Sequence, residues 1–390
     1  MVINMKKTYV YVSNWRKSKE LGICQYLFDQ ETGTMTFVER VESECDLNVS
    51  TVDYSRGLLY ALEECTDLPS VRGGGGGGRI FVFRIGKEDG KLETICIHPT
   101  FCSNPAYLTL DKTGKYLLVA NHGGKGAVTK VQQGADGQYY PVVEHDDSCV
   151  ELFSLKENGE IDRLLDVCKH SGSGPERRQV IAHPHCTVMS PSGNLFGVCD
   201  KGNDTVGMYM IDYEKEKLIP PSHIVRHAPG TLPRYCQFHP VLPYFYHNDE
   251  HALQLNAYCY TEAGEMTHIG AWPVSPEGME RVEKVHEQQG LVMHPSGKYL
   301  YDIVRGPNVV TVFKVNEADG SLEAIQHKAI AANGAWPRGC AVSPNGKFLL
   351  VCCLEGGIVQ EFCVNEDGTL SDTEVICANP AAAYATFCEI

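Results

Sequence analysis

A fifteen-residue pattern returns six times along the chain and restricts what the chain can fold into. The copies are STVDYSRGLLYALEE (Ser50–Glu64), LTLDKTGKYLLVANH (Leu108–His122), TVMSPSGNLFGVCDK (Thr187–Lys201), CQFHPVLPYFYHNDE (Cys236–Glu250), LVMHPSGKYLYDIVR (Leu291–Arg305) and CAVSPNGKFLLVCCL (Cys340–Leu354). Each is an apolar run, a polar turn with Pro or Gly, and a second run rich in β-branched and aromatic residues. That is the pattern of strand, tight turn and strand. A third strand follows most copies (RIFVFRI, VELFSL, TVGMYMID, VVTVFKV, IVQEFCV), then a D/E-x-G-x-L turn such as EDGKL or EDGTL and a fourth strand. Four short strands per repeat is the signature of β-propeller blades. No long stretch carries helical periodicity.

The blade count follows from the ends. KKTYVYVSN near the N-terminus matches the second strand of the repeat but has no first strand before it. The tail ANPAAAYATFCEI supplies one, its Asn379-Pro380 echoing Asn104-Pro105. The expected fold is all-β: a seven-bladed propeller of four-stranded antiparallel blades, one domain over 1–390, closed by pairing of the N- and C-terminal strands. Closure removes the open edges that a sheet otherwise has to protect. Long connections fall at about 65–78, with six consecutive glycines, at 123–148 and at 169–184. The glycine run lacks the Lys-Ser/Thr of a phosphate loop and reads as a flexible loop.

In a blade the first strand leaves one face of the ring beside the axis and the second returns to it. The starts of first strands and the ends of second strands therefore share one rim. The starts are Asn48, Ala106, His185, Arg234, Gln289 and Arg338; the ends are Trp15, Glu64, His122, Lys201, Glu250, Arg305 and Leu354. The three long connections join the same rim. A charged rim with long loops on one face only is where a site is expected.

The net charge of −15 disfavours nucleic acid and anionic membrane as partners, so an anion site has to be a local basic pocket. No run is long and apolar enough for a membrane helix or a signal peptide. The 17 cysteines, mostly inside strand-like runs and without zinc spacing, read as reduced thiols in a cytoplasmic protein. The carboxylates of Glu144–Asp147 read as solvated loop residues rather than metal ligands. The expectation is no cofactor, no metal, and a monomer or weak oligomer.

Several motifs on this scaffold resemble those of the seven-bladed propeller lactonases, which include the propeller-type bacterial 6-phosphogluconolactonases and the fungal carboxymuconate lactonizing enzymes. They are Asn104-Pro105, Leu117–Gly124, Pro184-His185, Asp200–Asp204, Pro233-Arg234, Phe238–Pro240 and Pro337-Arg338. The resemblance covers nearly the whole chain. It implies a metal-free site on His185, Glu250, Arg234 and Arg305, all four already on one rim. The chain departs from the family's usual pattern at Leu232–Tyr235, at Ile303–Arg305 and in the turn Val241–Tyr244.

Lactone hydrolysis needs a base for water and cations for the oxyanion. On that chemistry Glu250 is the expected general base, and His185 a second acid/base or orienting group; the two roles are interchangeable. Arg234 and Arg305 contact the oxyanion and the substrate anion, with Arg338 auxiliary, since a planar guanidinium suits carboxylate or phosphate. His122, Lys201, Asn104 and Gln289 complete the candidate substrate-binding set. Arg234 and Glu250 have a second reading, as an ion pair bracing the hairpin, and Arg338 has one as a partner of Glu355. The expected substrate is an anionic or polyhydroxy lactone, 6-phosphogluconolactone-like or an unphosphorylated aldonolactone. A muconate-type cycloisomerase and a non-enzymatic binding scaffold are the alternatives.

Overall fold

The computed structural model describes all residues except 1–5, 16–21, 44, 125, 280, 281, 283–285 and 332–335. Seven antiparallel blades surround an axis. Blade 1 holds Leu47–Asp53, Leu58–Glu63, Arg79–Ile85 and Leu92–Pro99, from the inside outward. Blade 2 holds Pro105–Leu110, Tyr116–Asn121, Ser148–Leu155 and Ile161–His170. Blade 3 has Pro184–Met189, Phe196–Asp200 and Thr205–Asp212, and its outer position is divided between Lys217–Ile219 and Ile224–Arg226. Blade 4 is Pro233–Phe238, Tyr244–Asp249, Gln254–Tyr260 and Met266–Pro273. Blade 5 is Glu287–Met293, Tyr299–Arg305, Val309–Val315 and Leu322–Ala329. Blade 6 is Pro337–Val342, Phe348–Cys353, Ile358–Val364 and Leu370–Ala378.

Blade 7 is the split one. Ala382–Glu389 forms its inner strand, followed outward by Thr8–Asn14, Gly22–Phe28 and Met35–Glu42. Tyr9 stands opposite Cys388, Val12 opposite Ala385 and Ser13 opposite Tyr384. The inner strand then packs against Leu47–Asp53 of blade 1, which completes the ring.

The second strands are buried end to end, because blades cover both of their faces. Here burial, rather than alternation, sets the composition. Four of these strands carry a buried tyrosine that fastens one blade to the next. Tyr60 donates to the Gly159 carbonyl at 2.7 Å and Tyr11 to Gly90 at 2.6 Å; Tyr301 donates to Gly368 at 3.1 Å and Tyr246 to Gly320 at 3.2 Å. Each acceptor is the glycine of a D/E-x-G-x-L turn. Gly159 has φ +84°, and a Cβ there would sit 2.2 Å from Leu58 Cδ1, so both the turn and the contact require glycine.

Two connections differ from expectation. Within 123–148 the chain forms a hairpin, Ala127–Gln133 against Tyr139–His145, with nearly every residue exposed. The hexaglycine run is tied back on itself: Asp67 Oδ1 accepts the Gly75 N–H at 2.5 Å, and Leu68 N–H donates to the Gly75 carbonyl at 2.9 Å. Gly73 to Gly77 all have positive φ, a path that six glycines permit and other residues resist.

Removing the last ten residues takes away the inner strand of blade 7, and the truncated chain is expected to be insoluble where the full chain is soluble, as read by fractionation of the expressed protein. Tyr301→Phe removes one buried interblade hydrogen bond without changing shape. It is expected to destabilise by about 1 kcal/mol in a reversible denaturant titration.

Candidate active site

The rim side chains enter the channel because each inner strand begins with an irregularity. In blade 4, Pro233 pairs with Asp249 and Cys236 with His247, so Arg234 and Tyr235 both stand opposite Asn248. In blade 3, Pro184 pairs with Asp200 and Cys186 with Cys199, leaving His185 as the extra residue. The same shift falls at Arg338 in blade 6, Ala106 in blade 2, Gln289 in blade 5 and Asn48 in blade 1. A bulge turns a side chain out of the pleat, and four of the residues at these shifts, His185, Arg234, Gln289 and Arg338, line the cavity at the axis. Leu232 and Trp336, each immediately before a strand-opening proline, have φ of +60° and +59°. Non-glycine residues held in that region store strain that the surrounding structure has to impose.

The result is a chamber of about 290 Å³ lined by Trp15, His122, His183, His185, Gln289 and Trp336 together with a set of charges. Five cations, Arg178, Lys201, Arg234, Arg305 and Arg338, face three carboxylates, Glu64, Glu250 and Glu287. With neutral imidazoles the chamber holds two positive charges in excess, inside a chain of net charge −15.

The charges form two groups. Glu250 is engaged by Arg234 Nε at 3.0 Å, by Lys201 Nζ at 3.3 Å and by Arg178 Nη1. Arg178 also donates through Nη2 to Glu287 Oε1 at 2.8 Å, and Arg305 Nη1 reaches Glu287 Oε2 at 2.9 Å. Across the chamber Glu64 lies 3.3 Å from Arg338 Nη2 and 3.4 Å from His122 Nε2, and accepts from Asn48 Nδ2. Two guanidiniums lie on indoles: Arg338 is 3.7 Å from the Trp15 ring centroid and Arg305 is 4.2 Å from that of Trp336. Stacking on an indole adds a cation–π contact to the ion pair of each guanidinium, and Arg305 Nη2 also donates to Gln289 Oε1 at 2.8 Å.

Protonation follows from these contacts. Burial pushes the Glu250 carboxyl up, but Lys201, Arg234 and Arg178 outweigh it and hold the group well below the ordinary range. Burial likewise opposes His122 and Arg338 at Glu64, and the balance brings that group down to about 2. His185 is only 3% exposed, and burial, Arg234 and Lys201 keep it far below the usual imidazole value, so it is neutral. Its Nδ1 is buried without a hydrogen-bond partner. Burial lowers Lys201 to about 8 against the pull of Glu250, with Arg234 and Arg178 adding to the fall.

The structure thus brings together His185, Arg234, Glu250, Arg305, Arg338, His122, Lys201 and Gln289 from the expected set. Asn104 is a correction. It has φ +53°, and its Nδ2 donates to the Gly123 carbonyl at 2.8 Å, so it shapes the loop and does not line the chamber. Arg338 pairs with Glu64, not Glu355. Glu144 and Asp147 are ion-paired to Lys130 and Lys169, and Asp146 accepts from Ser103. The expected brace between Arg234 and Glu250 exists, and both members also line the cavity. Six lining residues were not among the candidate site residues: Trp15 and Glu64, which the strand order places on the rim, and Arg178, His183, Glu287 and Trp336. Arg178 lies in a connection already noted for its length, and Glu287 opens the inner strand of blade 5 two residues ahead of Gln289. Their proximity depends on loop path and register, which the repeat pattern does not encode.

A profile of the family described as lactonase, 7-bladed beta-propeller matches residues 9–387. The chain belongs to the seven-bladed β-propeller lactonase family. By family it is a lactone hydrolase. It is 24% identical over 357 residues to a 6-phosphogluconolactonase of Bacillus subtilis, covering 90% of each chain. It is 24% identical over 340 residues to a 6-phosphogluconolactonase of Formosa agariphila, covering 86% of each. The solved structure of a periplasmic gluconolactonase from Pseudomonas aeruginosa superposes with a TM-score of 0.82 at 22% identity, over 98% of this chain and 99% of that one.

The lowered carboxyl of Glu64 makes a pH test. A depressed acid adds stability above its unfolded value near 4.5 and loses it as pH falls toward about 2. Glu64→Gln, which resembles the protonated acid, is expected to cost on the order of 3 kcal/mol at neutral pH. That difference should shrink below pH 4 and vanish toward pH 2, as measured by denaturant titration across pH.

Proposed function

We propose that the chamber hydrolyses a phosphorylated sugar-acid lactone of the 6-phosphogluconolactone kind without a metal in the reaction. The observation that carries this is the excess of two positive charges, on five cations crowded into about 290 Å³. A phosphate monoester brings close to two negative charges and three acceptor oxygens, which guanidinium forks bind in pairs. The relatives named 6-phosphogluconolactonase support the same reading.

The protonation states assign the roles. A carboxylate held by three cations is a poor proton acceptor, so Glu250 acts by fixing Arg234, Lys201 and Arg178 in place. His185 lines the cavity as a neutral imidazole, its protonation opposed at rest by burial, Arg234 and Lys201; it takes the proton from the attacking water as negative charge builds on the substrate oxygen and offsets those cations. The hydroxide adds to the lactone carbonyl, and Arg234 faces the resulting oxyanion. As the ring C–O bond breaks, the alkoxide needs a proton. Lys201, at about 8, is protonated at neutral pH and acidic enough to give it. Arg305 and Arg338, flat on their indoles, receive the phosphate or carboxylate tail. Hydrolysis leaves a carboxylate and an alcohol, and bulk water resets both groups. Glu250 and Glu287 with His251 are the carboxylates of the chamber that approach a metal-like cluster, but guanidiniums already occupy both of them.

The direct test compares kcat/KM for 6-phosphoglucono-δ-lactone and glucono-δ-lactone by proton release. The phosphorylated substrate is expected to lead by about 10²-fold, as fits a charged group matched to buried partners. Preference for the unphosphorylated lactone would move the assignment to an aldonolactonase, and hydrolysis of neither would overturn it. EDTA in the assay is expected to leave initial rates unchanged.

Turnover should be level from pH 6 to 7 and fall as pH rises through about 8, where Lys201 loses its proton. Lys201→Arg keeps the charge but cannot release a proton at that pH. It should lose about 10²-fold in kcat and the alkaline fall together.

A further inference from the structure

Between blades 3 and 4, outside the chamber lining, lies a second cluster with ligand chemistry. His227 follows the outer strand Ile224–Arg226 of blade 3, while His247 and Asp249 sit two residues apart on the second strand of blade 4. One ligand atom from each of the three lies within 4.8 Å of the others. Four buried polar atoms here make no hydrogen bond, His227 Nε2, both ring nitrogens of His247 and Asp249 Oδ1; His247 Nδ1 and Asp249 Oδ1 lie 3.3 Å apart as an ion-pair contact, which leaves His227 Nε2 and His247 Nε2 without any. His247 is 0% and Asp249 1% exposed. Buried polar groups without partners are rare and costly in folded proteins, and so many in one place call for a missing partner.

We propose that His227, His247 and Asp249 form a structural site for a divalent transition metal of the zinc type, clamping blade 3 to blade 4. Two imidazoles and one carboxylate are a recurrent donor set for such ions, with a fourth position left for water. Imidazole binds a metal in its neutral form. The outer shell is in place as well. Asn256 Nδ2 donates to Asp249 Oδ2 at 2.7 Å, which orients the carboxylate and leaves Oδ1 facing the histidines. Tyr258 stacks on His247 at 5.6 Å and 20° between planes, which fixes the ring. Such supports hold ligands in productive orientation.

The position has a structural logic. The tyrosine that fastens four of the blades to their neighbours is absent from blade 3, as from blades 2 and 6 with Leu118 and Leu350; Gly197 stands at that position, and Phe245 fills the space a Cβ would take. The outer strand of blade 3 is also broken into two three-residue pieces. A metal bridging His227 to blade 4 supplies a tie at a junction that lacks that hydroxyl fastener. This role is separate from hydrolysis in the chamber, so its test reads metal content and stability rather than turnover.

The full-length protein is stripped with chelator, equilibrated with Zn²⁺ or Co²⁺, desalted, and analysed for metal by mass spectrometry. The expected result is one ion per chain, a rise in Tm of about 3 °C with metal at a hundredfold its Kd, and a tetrahedral Co²⁺ spectrum without thiolate charge-transfer bands. The last point separates this site from the 17 free cysteines. His227→Ala, at a partly exposed position, and the isosteric Asp249→Asn should each lose the ion and the Tm rise. Failure of the wild-type protein to retain metal or shift Tm overturns the proposal. So does full retention by both variants, or a spectrum dominated by thiolate ligation.

Discussion

The pairing of Ala382–Glu389 with Thr8–Asn14 is the contact on which the other features depend. Each inner strand packs against the next, so the chamber exists only if the last inner strand also finds its neighbour. One hairpin of the ring is therefore assembled from the two ends of the chain. Its energy comes from ordinary ladder hydrogen bonds and from the apolar cluster in which Val10, Val12, Ala385 and Phe387 meet Leu350 and Val359 of blade 6. Its leverage comes from topology, because an unclosed ring has two open edges and no axis.

Closure places a narrow collar of backbone around the axis, and the bulges use it. A regular strand would point alternate side chains into the blade faces. The register shifts at His185, Arg234, Gln289 and Arg338 bring those residues to the channel instead. Cations so close together would repel. Glu64, Glu250 and Glu287 offset that repulsion by standing between them, and the cations in turn hold Glu64 and Glu250 ionised. Acids and bases of the chamber are thus mutually dependent, and Glu64, Glu250, His185 and Lys201 are all shifted by one another's charges or by burial. Glu250 illustrates the consequence. As an isolated carboxylate it reads as a base, and in its ion-paired setting it is held by Arg234, Lys201 and Arg178, which is why the proposed mechanism gives it the positioning role and His185 the proton.

Much of this was legible in the chain. Six copies of one pattern and a split seventh give the blade number, the strand order and the closure, since strand periodicity and turn residues are local properties. Strand polarity then puts the starts of first strands and the ends of second strands on one rim of thirteen positions, among which the family resemblance singles out His185, Arg234, Glu250 and Arg305. The family motifs agree with that placement.

What the sequence could not decide was which rim residues meet and in what state. Asn104 occupies the same kind of position as Leu232 and Trp336, yet its amide turns to the Gly123 carbonyl, because the neighbouring loop offers it an acceptor. Arg178 reaches Glu250 and Glu287 from a connection whose path is set by packing, not by any repeat. His227 joins His247 and Asp249 only because two blades meet there, 20 residues apart along the chain at the nearest. Strand, turn and rim follow from short-range patterns that a single chain displays. Ion pairing, protonation and the meeting of side chains from different blades depend on distances of a few ångströms, which the closed ring alone sets.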